Sequence, residues 1–448
     1  MCEDGAKFTV SEVNSMSDKP IVMSLSGLPS NKKVTIHSSL TSDNNIVFEC
    51  VVTYLSNEKG CIEIEKDSAI GGMYTGVEPM GLFWAMESSP LNRRPHNRLT
   101  KLNVETPQVY FLTVYDNEIH NLTTFHQIKK EKNLKKLAST HIKRWFMAAG
   151  TKRITLTVEK HGIHGTLFIP PGQGPFPGII VMFGVVRATL EYKASLFASH
   201  GFAALALAFV DANGLPKFDY GNLGNNVELQ FEYFEMAVKF MSNHKDVNSK
   251  NLAVFGSSMS GPIALAIGTH LRGITCVVWV NSTIILQSIS LMYKGKKLLS
   301  TATYDMEKWE EEKMYRLMLR RTQQTPDDIM NQTFKDSLIK FYEKKDVAFL
   351  FVAGLEDANV PSEYHINQAE NLLKLANHPN YKIVRCMGTG HLIEPPYTIC
   401  NKSHGSFGTP YFSNFGGSKI PHCRNQENVW KGILQFLQQN LTKPLNKL

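Results

Sequence analysis

The stretch Leu252-Ala-Val-Phe-Gly256-Ser257-Ser258-Met259-Ser260-Gly261-Pro-Ile-Ala-Leu-Ala266 decides how this chain folds. A short apolar run leads into small residues and then into an apolar, helix-forming run. This is a buried strand, a tight turn and a helix, the setting in which a nucleophile is presented on a sharp bend. So tight a bend demands small residues two before and two after the nucleophile. Ser258 has Gly256 and Ser260 at those places. Ser257 would have Phe255 and Met259, and Ser260 would have Pro262. Ser258 is therefore the candidate nucleophile.

A serine hydroxyl is a weak nucleophile at neutral pH and needs a base oriented by a carboxylate. In strand-turn-helix enzymes of this kind the partners follow in the order serine, acid, histidine, each after a later strand. Val347-Ala-Phe-Leu-Phe-Val-Ala-Gly-Leu355 reads as one such strand, followed by Glu356-Asp357-Ala-Asn-Val-Pro. Asp357 is the expected acid and Glu356 its competitor. Tyr381-Lys-Ile-Val-Arg-Cys-Met387 reads as the next strand, followed by Gly388-Thr-Gly-His391. His391 is the expected base. An oxyanion hole needs two backbone N–H donors. One is expected from Met259, the other from Val185, which follows the apolar run Gly178–Gly184.

Outward from this core, Ile154–Val158, Gly165–Ile169, Ile179–Phe183, Ala203–Phe209 and Thr275–Val280 read as strands. Helical stretches such as Leu190–Ser199 and Glu228–His244 lie between them. Such alternation predicts an α/β domain with a mostly parallel sheet, helices on both faces, over residues 150–442. Residues 282–345 are long and charged, with a helix expected over Glu307–Arg321, and read as a cap-like excursion. The first part differs. Val34–Leu40, Ile46–Val52 and Gln108–Tyr115 are short, β-rich and separated by turn signals such as Ser42-Asp-Asn-Asn. This spacing predicts an all-β, immunoglobulin-like sandwich over residues 7–140. Lys129–Lys136 reads as a basic, helix-prone linker.

Composition narrows the class. The 448 residues are 43% hydrophobic and 20% charged, which excludes disorder or a coiled coil as the main architecture. No apolar run approaches the ~20 residues of a membrane-crossing helix. Lys and Arg exceed Asp and Glu by 48 to 40, but the basic residues are dispersed and make no nucleic-acid stripe. The seven cysteines are scattered without a CxxC pair, which fits a reducing compartment. No HExxH, zinc spacing, GxGxxG or phosphate loop occurs, so no metal or cofactor is expected. The N-terminus lacks the pattern of a signal peptide. The C-terminal Asn446-Lys447-Leu448 differs from the peroxisomal Ser-Lys-Leu at one position. A cytoplasmic protein with a possible peroxisomal address is the expectation.

Over nearly its whole length, from about residue 20 to 435, the chain resembles the type I acyl-CoA thioesterases and their relative, bile acid-CoA:amino acid N-acyltransferase. The resemblance lies in Gly71-Gly-Met-Tyr-Thr-Gly-Val-Glu-Pro-Met-Gly-Leu-Phe-Trp-Ala-Met86, in Gly174-Pro-Phe-Pro-Gly-Ile-Ile-Val-Met-Phe-Gly184, in Phe231-Glu-Tyr-Phe-Glu235 and in Thr389-Gly-His-Leu-Ile-Glu-Pro-Pro-Tyr397. It implies an α/β hydrolase domain behind the sandwich, an acyl-CoA substrate, and a triad at Ser258, Asp357 and His391. Two departures stand out. The family's Gly-rich stretch after Phe183-Gly184 is Val-Val-Arg-Ala-Thr here, and its Gly-Gly or Gly-Ala after the elbow is Ser260-Gly261. The conjugating relative uses cysteine at the elbow, so Ser258 implies hydrolysis over transfer to glycine or taurine. The Gly71–Met86 block is expected to fix turns and packing rather than to bind.

Overall fold

The computed structural model describes residues 5–94, 97–184, 189–218, 227–301, 311–312, 315–316, 337–405 and 412–441. The chain packs as two compact units. The first is Met1–Phe146 together with Glu394–Asn401; the second is Met147–Ile393 together with Lys402–Leu448.

The second unit is built on an eight-stranded sheet. In spatial order its strands are Lys152–Leu156, His164–Ile169, Ala203–Ala208, Phe176–Met182, Val247–Ser257, Ile274–Val280, Ala348–Gly354 and Tyr381–Cys386. His164–Ile169 runs antiparallel to both neighbours; every pairing from Ala203–Ala208 onward is parallel. Chain order breaks once, where Ala203–Ala208 inserts beside Phe176–Met182. This is the α/β hydrolase sheet; its crossovers run one way from Phe176–Met182 and the other way from Val247–Ser257, and between those two strands lies the switch point outside which ligands collect in such folds.

Burial explains why these runs are strands. All six residues of Ala203–Ala208 and all seven of Ala348–Gly354 are buried, as a parallel strand covered on both faces requires. Phe197, Leu205, Val254 and Trp279 are nearly or wholly inaccessible, and each such side chain contributes about 1.5–3 kcal/mol by leaving water. The helix Ser260–His270 buries Ser260 through Gly268 without a polar face, because it crosses the middle of the domain. A Cβ at Gly268 would stand 2.5 Å from Val277 Cγ2, so that glycine sets how closely this helix lies on the strand Ile274–Val280.

In the first unit, Met23–Ser26 pairs with Lys7–Val10 and Ile62–Glu63, and a larger sheet is centred on Gln108–Tyr115, Lys33–Thr41 and Val47–Leu55. The Gly71–Met86 block packs. A Cβ on Gly81 would enter the Tyr74 ring, and Tyr74 and Tyr54 share a buried hydrogen bond of 3.0 Å.

Three expectations are corrected. The stretch 129–136 is not a helical linker: the helix Leu122–Lys130 ends there, and Lys136–Trp145 is a strand of the larger sheet. Its charges conceal it, because one inward residue is Arg144. That buried guanidinium donates to Ser15 Oγ at 2.7 Å and Ser17 O at 2.8 Å. Of the helix expected over 307–321, only Glu311–Glu312 and Tyr315–Arg316 are described. They pair as antiparallel strands, the second pairing also with Phe412–Asn414. Helix propensity is a weak preference that a backbone partner overrides. The stretch Glu394–Asn401, read as continuous with the second domain, belongs to the first unit. There Arg98 donates to Glu394 at 2.9 Å, and Leu99 N–H to Asn401 Oδ1 at 3.3 Å.

Candidate active site

Ser258 stands between the strand Val247–Ser257 and the helix Ser260–His270, with φ of 58°. A non-glycine residue in this left-handed region costs about 1–3 kcal/mol, so its surroundings must hold it there. They do. Ser258 N–H donates to Val280 O at 3.0 Å, Gly261 N–H donates to Ser258 O at 2.9 Å, and the Ser282 hydroxyl donates to the same carbonyl. Small neighbours are obligatory. A Cβ at Gly256 would lie 2.5 Å from Ser260 O and 2.7 Å from Ala264 Cβ. Ser260, the departure from glycine, is fully buried and useful: its Oγ accepts from Ser257 N–H at 2.9 Å and lies 3.0 Å from Met182 O.

The structure brings the three expected side chains together. Ser258 Oγ is 2.9 Å from His391 Nε2, and His391 Nδ1 is 2.9 Å from Asp357 Oδ2. An imidazole that donates from Nδ1 to a carboxylate leaves the Nε2 lone pair facing the hydroxyl. Asp357 and His391 are buried, while Ser258 is partly exposed. Asp357 is well satisfied. Oδ1 accepts from the N–H groups of Asn359 and Val360, both at 2.9 Å, and Oδ2 accepts also from Ser362 Oγ at 2.5 Å. Glu356 turns elsewhere and accepts from Ser418 Oγ at 2.9 Å. His391 lies nearly parallel to the Phe415 ring, with centroids 5.8 Å apart.

Met259 initiates the helix Ser260–His270, so its N–H lies at the positive end of that helix. Gly184, two residues past the end of the neighbouring strand Phe176–Met182, lies against Ser258: a Cβ there would be 3.1 Å from Ser258 Oγ and 3.7 Å from Met259 N. Val185 lies outside the described residues. Among the described residues no group of three His, Cys, Asp or Glu is placed to hold a metal ion, and no helix is long and apolar enough to cross a membrane.

Sequence reasoning missed Asn281, which follows the strand Ile274–Val280. Its Nδ2 donates to Gly390 O at 2.9 Å and His391 O at 2.7 Å, while its Oδ1 accepts from Gly354 N–H at 2.7 Å. One carboxamide thus ties the end of the acid strand to the histidine loop. Lys193 was also missed. Its buried ammonium donates to Ile393 O at 3.2 Å and lies 4.7 Å from the Phe183 ring centroid. The only sequence signal for either is a polar residue beside an apolar strand end or on an apolar helix.

Comparison with known proteins now bears on this geometry. Residues 229–443 match the family described as BAAT / Acyl-CoA thioester hydrolase C terminal, and residues 18–158 match Acyl-CoA thioester hydrolase/BAAT N-terminal region. The mouse acyl-coenzyme A amino acid N-acyltransferase 1 is 32% identical over 445 residues, covering 99% of each chain. The chain belongs to the acyl-CoA thioester hydrolase/BAAT family. Within that family identity does not separate the activities. Mouse bile acid-CoA:amino acid N-acyltransferase is 33% identical over 98% of this chain and 99% of its own. Mouse acyl-coenzyme A thioesterase 3 is 32% identical over 95% and 92%. The family's N-terminal and C-terminal regions match the two parts of the chain.

Proposed function

We propose that this protein hydrolyses acyl-CoA thioesters through a covalent acyl-serine. Ser258 Oγ attacks the thioester carbonyl as His391 Nε2 takes its proton. The developing oxyanion is met by the N–H of Met259 and, on the sequence argument, that of Val185. The carbon–sulfur bond breaks and the imidazolium returns its proton to the CoA thiolate. Water then attacks the ester with His391 as base, the imidazolium returns that proton to Ser258 Oγ as the acyl–oxygen bond breaks, and the free acid leaves. Asp357 holds the imidazole in the tautomer this needs and stabilises the imidazolium.

The observation that carries the reading is the 2.9 Å contact between Ser258 Oγ, on its left-handed turn, and His391 Nε2. The choice of water over an amine rests on serine itself. A cysteine acyl-enzyme remains a thioester, which amines attack readily, whereas an oxygen ester is a poorer acyl donor to them. The test is a panel of acyl-CoAs of varied chain length, with free CoA, free acid and acyl-amino acid measured with and without glycine or taurine. Equal release of CoA and free acid, undiverted by either amine, is expected; acyl-glycine or acyl-taurine as the main product would overturn the reading. In Ser258→Cys the ratio of acyl-glycine to free acid is expected to rise. An unchanged ratio would mean that access of the amine, not the nucleophile, decides the outcome.

A further inference from the structure

The loop that carries His391 is clamped by a second histidine. His422 lies on the helix Lys419–Leu441 and is almost wholly buried, with 1% of its surface exposed. Its Nδ1 accepts the Gly390 N–H at 3.0 Å, and its Nε2 is 3.0 Å from Leu392 O. These are the residues on either side of His391. A carbonyl can only accept, so Nε2 carries the proton and Nδ1 is the acceptor. The ring is thus fixed in one neutral tautomer by two opposite backbone demands.

This contact is one of several that pair the backbone of a buried loop. Asn281 takes Gly390 O and His391 O, Phe415 O accepts His391 N–H at 2.7 Å, and His422 takes Gly390 N–H and Leu392 O. Buried backbone groups left unpaired are costly, so each partner fixes the loop's position. There is no slack around it. A Cβ at Gly390 would meet Phe415 O and Gly416 O, each at 2.4 Å, and one at Gly417 would stand 2.8 Å from His422 Nδ1.

We propose that His422 is a positioning residue: by bracketing His391 from both sides it sets the registration of Nε2 on Ser258 Oγ. The inference rests on the reading of His391 as general base. Methionine and leucine at 422 fill similar space without hydrogen bonds, whereas glutamine carries one acceptor and one donor. The full-length wild type, His422→Gln, His422→Met and His422→Leu are compared by melting temperature, by kcat and KM on an acyl-CoA, and by the rate at which a fluorophosphonate labels Ser258. Labelling needs the Ser258–His391 pair but no acyl-CoA, so it reads the loop whatever the true substrate is.

The expected result is a fall of about 10- to 100-fold in kcat and labelling rate for the apolar variants, since a misplacement of about 1 Å costs that much. KM is expected to stay within about twofold, and His422→Gln to recover most of the rate. A folded apolar variant with wild-type labelling overturns the proposal, as does a folded His422→Gln as slow as the apolar pair. Failure of wild type to turn over any acyl-CoA while it still labels would sink the proposed function and leave the His422 comparison intact. Failure to label at all would sink both.

Discussion

Each of the two units buries a carboxylate against imidazole. In the second unit Asp357 meets His391 at 2.9 Å, and His391 meets Ser258 at 2.9 Å. In the N-terminal unit Glu49 meets His37 Nε2 at 2.9 Å and His126 Nε2 at 2.8 Å. Residue types and distances are nearly the same, yet the arrangements differ in direction. Glu49 is the middle member, between two imidazoles, and Ser89 donates to the same carboxylate. Burial alone would raise the Glu49 carboxyl, but hydrogen bonds from His37, Ser89 and His126 outweigh it and hold it at about 2. In the second unit the imidazole is the middle member, and its far nitrogen faces a hydroxyl held out on a left-handed turn. What sets the second pair apart is the hydroxyl that a strained strand end holds on its open side.

The largest effect should separate the two clusters cleanly. Ser258→Ala is expected to lower turnover by about 10⁴–10⁶ with an unchanged melting temperature. Near-normal activity in the folded variant would remove Ser258 from the chemistry. Asp357→Asn is expected to cost about 10⁴ in kcat, because it favours the wrong histidine tautomer. Glu356→Gln should stay within a few-fold, since Glu356 faces Ser418. A reversal of that order would make Glu356 the acid. Glu49→Ala should leave kcat unchanged but destabilise the fold by about 2–4 kcal/mol in denaturant unfolding, by orphaning buried donors. A loss of kcat without a loss of stability would contradict a structural role for Glu49.

The smallest effect concerns pH. His365, on the helix Ser362–Leu375, is buried to 2% exposure, and desolvation lowers its pKa to about 3. A histidine kept neutral in the fold contributes stability that is complete above its unfolded value of 6.5 and is lost progressively as pH falls towards 3. Its share of the loss between pH 7 and 5 is about 2 kcal/mol. His365→Asn, which can still accept from Ile284 N–H, should flatten the pH dependence of unfolding by about that amount. An unchanged slope would mean that the ring is already protonated or solvated in the fold.

The elbow was legible because its constraint is local. The steric demand at Gly256 and Ser260 is written into five consecutive residues, and in space a Cβ at Gly256 would meet Ser260 O at 2.5 Å. Asp357 and His391 were legible because chain order and strand ends locate them. Asn281 and His422 were not, because their roles arise from contacts with segments 109 and 32 positions away. A polar residue beside an apolar strand end or within a helix does not say which distant segment it meets. The strand Lys136–Trp145 was hidden for a related reason. Its inward positions include Ala138, Ile142 and Arg144, and a buried arginine breaks the apolar alternation that identifies a strand.

The account stands most directly on the acyl group at Ser258 and on what removes it. Full-length protein mixed with an acyl-CoA in heavy-oxygen water, quenched at short times and digested, can be read by mass spectrometry. The account predicts a transient acyl adduct on the peptide holding Ser258, absent in Ser258→Ala, and one heavy oxygen in the released acid. CoA release with no adduct on that peptide, persisting in Ser258→Ala, would contradict it.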